Sequence, residues 1–108
     1  MITIPKNKND KSKSIIKKEI DRIVTHFMAR INKSGWAGKA LPGCSENWAE
    51  LYASDYVRDA IAPALEQIKQ AGYYVWKIVG CFGRNCAYDT VYRITETCLK
   101  PTPGCTRV

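Results

Sequence analysis

The sequence predicts an α+β domain: two to three helices packed on a small antiparallel β-hairpin sheet of two or three strands. Three observations lead there. Apolar residues recur at spacings of three and four from about Ser14 to Ser34, a second helical stretch follows a glycine-rich loop, and beyond Gly72 the period changes to two. With 108 residues the chain has room for one core and not for two. Residues 14–98 are expected to form that domain, preceded by a flexible basic arm (1–13) and followed by an irregular tail (99–108).

The first helix rests on Ile16, Ile20, Ile23, Val24, Phe27, Met28 and Ile31, which fall on one helical face. Ser12 or Ser14 suits the start and Gly35 the left-handed stop. Before it, Met1–Pro5 alternates too briefly to define a strand. Residues 35–44 hold three glycines and a proline and read as a loop. Gly35-Trp-Ala-Gly38-Lys39 lacks the glycine spacing and the Ser or Thr after lysine that a phosphate loop needs.

The second helical region is expected over about Ser45 to Ala71, with Val57, Ile61, Ala64, Leu65 and Ile68 as its apolar stripe. The phase of Trp48, Leu51 and Tyr52 does not run cleanly into that stripe. Pro63 removes a backbone donor and crowds the carbonyl of Asp59, so a kink or break is expected there, with Ser54 able to cap a separate second segment. Tyr73–Cys81 and Cys86–Thr95 alternate with β-branched and aromatic residues, and Phe82–Asn85 between them suits a hairpin turn.

Charge is the strongest functional signal. The net formal charge is +7, and residues 1–40, with eight Lys, two Arg and three acids, carry all of that excess. Residues 41–72 sum to −3 and residues 73–108 to +3, so the asymmetry favours a polyanionic partner bound near the N-terminus. A solubilising tail is the plainer alternative. No run approaches the roughly 18 apolar residues of a spanning helix, which sets a membrane role aside. Met1–Lys13 lacks the apolar segment of a secretory signal, so a cytoplasmic location is expected.

Of the five cysteines, Cys44, Cys81, Cys86, Cys98 and Cys105, the four at 81, 86, 98 and 105 are paired at spacings at or beyond the limit of a zinc knuckle. Thiols are the first expectation in a reducing compartment. A bridge between Cys81 and Cys86 across the hairpin is the second, and a metal the third. No cofactor or metal is therefore expected. The single histidine, His26, falls between the apolar and polar faces of the first helix and reads as structural. The carboxylate pairs Glu46/Glu50 and Asp55/Asp59 read as solvated faces. Nothing assembles a nucleophile, a base and an orienting group, which argues against an enzyme.

The function expected is a small non-enzymatic binding module. Lys11, Lys13, Lys17, Lys18 and Arg22 would meet phosphates. On the hairpin Tyr74, Lys77, Arg84, Tyr88 and Arg93 would supply stacking and charge on a sheet face left open by the core. The alternative, suggested by size and aromatic content alone, is a protein-directed inhibitor or adaptor docking on a nucleic-acid-processing complex, as small phage-type anti-restriction and anti-CRISPR proteins do.

Overall fold

The apolar stripe of the first helix buries where it meets other elements. Ile23 and Phe27 are fully buried and Ile31 nearly so, while Ile16, Ile20, Val24 and Met28 are half-buried around them. A computed structural model describes residues 4–32, 43–44, 47–82 and 87–108. In it α1 runs over Ile4–Asn32, so it begins ten residues before the expected start at Ser14 and takes in most of the lysine-rich arm. Pro5 falls in the first helical turn, where its missing donor costs nothing. At 1.5 Å per residue α1 is about 43 Å long, and among its residues whose burial is described the buried ones are Ile23, Phe27 and Ile31. The radius of gyration is 16.2 Å, against about 13 Å for a compact chain of this length.

Among the described residues, two α-helices pack on a four-stranded antiparallel sheet in the order β1-β3-β2-β4. The architecture is α+β, with one strand more than the two or three expected. β1 is Ala49–Tyr52, β2 Tyr74–Phe82, β3 Ala87–Thr95 and β4 Thr106–Arg107; α2 is Arg58–Gln70.

β1 replaces the start of the expected second helix. Its burial alternates, with Ala49 and Leu51 inside, because β3 supplies a ladder partner far along the chain, from Ala49↔Ile94 to Tyr52↔Val91. That explains why Trp48, Leu51 and Tyr52 were out of phase with the stripe of α2: they belong to a strand edge. A 3-10 turn, Ala53–Asp55, follows. α2 then continues through Pro63 without the expected break, with Pro63 on its exposed side. Its apolar stripe (Ala60, Ile61, Ala64, Leu65 and Ile68) faces the core as expected. Gly72 closes it at φ +100°: the Tyr73 N–H donates to the Ile68 carbonyl and the Gly72 N–H to that of Lys69. This is a Schellman stop, in which glycine carries the left-handed residue without a Cβ penalty.

The hairpin pairs residue by residue from Tyr74↔Thr95 to Phe82↔Ala87. Directly opposed residues share a face. Val75, Ile94, Ala49 and Leu51 line the face under the helices, where the main core lies. Trp76, Arg93, Tyr74 and Thr95 line the other face, which the sequence reading leaves open.

The tail closes that second face and is not wholly irregular. Pro101 is fully buried and Cys105 is 6% exposed. β4 pairs with β2 through Trp76↔Arg107 and Lys77↔Thr106, and the Val108 N–H donates to the Val75 carbonyl at 2.9 Å. Two strand residues between bends carry no alternation to read, and their pairing is set by the outer edge of β2. Thr95, the buried polar residue of this layer, accepts from Trp76 Nε1 at 2.9 Å and donates to the Thr97 carbonyl at 2.7 Å.

Cys81 is disulfide-bonded, its partner lying outside the described residues, and Cys44, Cys98 and Cys105 are free. The thiol reading therefore holds for those three and fails for Cys81, which sits near the turn end of the hairpin where a bridge braces the ladder. No helix among the described residues is long and apolar enough to cross a membrane.

Phe27 is the largest fully buried side chain of the helix–sheet core. Phe27→Ala should cost about 3–5 kcal/mol in urea unfolding, a large share of a small domain's stability. A loss below about 1 kcal/mol would place Phe27 outside the core.

Candidate nucleic-acid interface

The candidate basic residues of α1 divide by helical spacing. Positions 13 and 17 fall along one side of the helix, and positions 11, 18 and 22 along another. Lys13, Lys17 and Lys18 are exposed, and none makes an ion pair among the described residues. The side chain of Lys11 lies outside the described residues. The first turn of α1 carries no acid.

Arg22 is committed elsewhere. Its Nε donates to Glu19, its Nη2 donates to Glu19 Oε2 at 3.1 Å and to the Asp55 carbonyl at 3.1 Å, and its guanidinium lies 4.3 Å from the Tyr56 ring centroid. Glu19 Oε2 also accepts the Val57 N–H at 2.8 Å. Val57 is the N-cap of α2 and supplies no side-chain cap, so a carboxylate of α1 satisfies that terminus instead. The hydrogen bond from Arg22, and after it that from Val57, holds the Glu19 carboxyl below its ordinary range. Arg22 is thus the joint between the helices, although its side chain stays 57% exposed.

His26 belongs to the same seam. Its Nε2 lies 3.4 Å from the Glu50 carbonyl oxygen, and its ring meets Phe27 and Tyr56 edge-on.

The hairpin residues do not form one platform. Arg93 lies on the tail-covered face, half-buried. Its Nη1 donates to Thr102 Oγ1, its guanidinium sits 5.4 Å from the Trp48 ring centroid, and its Nε is 3.5 Å from Glu50 Oε1, an ion-pair distance without hydrogen-bond geometry. The Glu50 Oε1 also accepts from Trp48 Nε1 at 3.0 Å. Trp48 and Trp76 are buried here and present no open ring. Tyr74 is half-buried with Arg107 stacked 5.1 Å above it. Lys77 is exposed, and Tyr88 is 82% exposed near the turn end of the helix-side face. Arg84 lies outside the described residues.

The structure adds a hollow that the sequence reading misses. Between the 3-10 turn with the start of α2 and the hairpin lies an open cavity of ≈ 600 Å³, bordered by Ser54, Arg58, Lys77, Asp89 and Tyr92. A second, of ≈ 240 Å³, continues from Lys77 and Tyr92 toward Lys69. Lys77 and Tyr92 are direct cross-strand partners. Arg58 carries no motif signal, and it reaches this site only because α2 starts at residue 58 instead of near 45. Tyr92 has one signal, its alternation with Tyr88. Among the described residues no three His, Cys, Asp or Glu side chains gather as a metal site would need.

No protein-family model, curated protein or solved structure matches the chain.

The Glu19 contact has a pH signature. A carboxyl whose folded pKa is depressed adds stability above the ordinary carboxylate range and loses it as pH falls through the folded value. Glu19→Gln should therefore lower Tm by a few degrees near neutral pH, and the gap from the parent should close as pH falls below the ordinary carboxylate range. Thermal melts of both chains from neutral to acid pH measure this; a gap that persists unchanged in acid would contradict it.

Proposed function

We propose that this protein is a small non-enzymatic module that binds nucleic acid through the cationic sides of α1, with Lys77 of the sheet as a second contact. The observation that carries the reading is the placement of Lys13, Lys17 and Lys18. They are exposed on α1, and none makes an ion pair among the described residues. A free cationic helix neutralises phosphates at little desolvation cost and releases their counterions. His26 packs against a backbone carbonyl and two rings, the setting of a structural imidazole.

A second reading, a protein-directed inhibitor or adaptor on a nucleic-acid-processing complex, has one observation in its favour. Tyr88 (82% exposed) and Val79 (57%) stand on the same sheet face, an apolar pair of the kind that anchors protein interfaces.

Fluorescence anisotropy with a labelled 20-nucleotide probe separates the two. For three or more phosphate contacts, affinity should fall at least tenfold, roughly, between 50 and 200 mM salt. The triple substitution K13E/K17E/K18E should remove most of the binding that remains. An affinity that ignores both salt and the lysines, together with loss of partner capture by Tyr88→Ala, would transfer the assignment to the second reading.

A further inference from the structure

Resting on the nucleic-acid reading above, we propose that the strand bound is single, and that it crosses the hollow between the start of α2 and the hairpin. Arg58 and Lys77 would receive its phosphates, and one base would turn in against Tyr92.

The hollow has the size for this. Its ≈ 600 Å³ lies within the 300–1,000 Å³ typical of ligand clefts, and the adjoining ≈ 240 Å³ extends it along α2. Its open form admits a chain passing through as well as an isolated molecule. Arg58 stands on the helix side and Lys77 on the sheet side. Both are exposed, and neither makes an ion pair among the described residues. The bordering acid, Asp89, is already engaged at both oxygens: Oδ2 accepts from Ser54 Oγ at 2.6 Å and Oδ1 from the Thr90 N–H at 2.7 Å. At the far end Lys69 pairs with Glu66 at 3.4 Å. Arg58 and Lys77, with no ion pair among the described residues, therefore both border the larger hollow.

The choice of aromatic follows from occupancy. Tyr56 borders the hollow too, but Arg22 and His26 cover its ring. Trp48 and Trp76 are buried on the other face of the sheet. Tyr92 borders both cavities, is half-buried against Leu51 and Lys77, and its hydroxyl makes no hydrogen bond among the described residues. A ring held along one side and open along the other is what base stacking uses. A duplex keeps its bases stacked inside, whereas a single strand can turn one out into a recess. This makes the hollow selective for single strands, while the lysines of α1 are not.

The test compares an oligothymidylate of about twelve nucleotides with the corresponding duplex, for the parent chain, R58E/K77E and K13E/K17E/K18E. The parent should prefer the single strand. R58E/K77E should weaken single-strand binding by about tenfold or more and remove the preference, with a clearly smaller loss for the duplex, whose main contact is α1. Both substituted residues are exposed, so the fold should persist. If it does not, ultraviolet crosslinking of a 5-bromodeoxyuridine oligomer to the parent chain gives a second readout, and the adduct should map to Tyr92. Single-strand binding that survives R58E/K77E but is lost in K13E/K17E/K18E, or adducts confined to α1, would overturn the groove and leave the proposed function standing. A parent chain that binds neither probe would overturn both.

Discussion

A sheet covered on both faces sets the terms for everything else in this fold. β3 lies between β1 and β2, and its Val91, Ile94 and Thr95 are wholly buried. The helices cover one side, and the tail around Pro101 and Cys105 covers the other. A hairpin alone is marginal in water, and this double cover is what gives two long strands enough apolar contact to persist. It also decides which polar groups must be satisfied internally. Arg93 sits under the tail, so its charge needs partners, and Glu50, Trp48 and Thr102 supply them.

The same constraint sorts the cations into two kinds. Arg22 and Arg93 hold elements together: one joins α1 to the start of α2, the other joins the sheet to the tail. Lys13, Lys17, Lys18, Arg58 and Lys77 remain outside with no ion pair among the described residues. A basic composition therefore overstates the surface available to a partner. Arginine is suited to the internal task, since its planar fork bonds and stacks at once, whereas the free set is mostly lysine. Glu19 sits at the boundary between the two kinds. By accepting from both Arg22 and Val57 it ties α1 to the start of α2, where Arg58 meets the hollow.

The legibility of the fold follows the range of the interactions. The stripe of α1, the stripe of α2, the stop at Gly72 and the two hairpin strands were visible, because they are written in local spacing and composition; the register was not, since Phe82, expected in the turn, pairs with Ala87 in the ladder. β1 was not, because four residues fit a helical and a strand period equally well and the deciding partner, Val91–Ile94, lies far along the chain. Nor was the tail's role: Pro101 and Cys105 show no period, and their burial depends on a sheet face that exists only once the hairpin has formed. The same distinction holds for the site. Exposed lysines on α1 and at Lys77 followed from pattern, while the internal commitments of Arg22 and Arg93, and the meeting of Arg58 with Tyr92, needed three-dimensional neighbours.

The cover formed by the tail can be measured directly through its own cysteines. Cys98 is exposed and Cys105 is 6% exposed, seven residues later in the same segment. A short pulse of N-ethylmaleimide on the native full chain, followed by peptide mapping, compares the two thiols. If the tail closes the sheet, Cys98 should be modified at the rate of a free thiol and Cys105 many-fold more slowly, in step with opening of the segment. Equal labelling of Cys98 and Cys105 under native conditions would mean that the second face is open and would contradict the account.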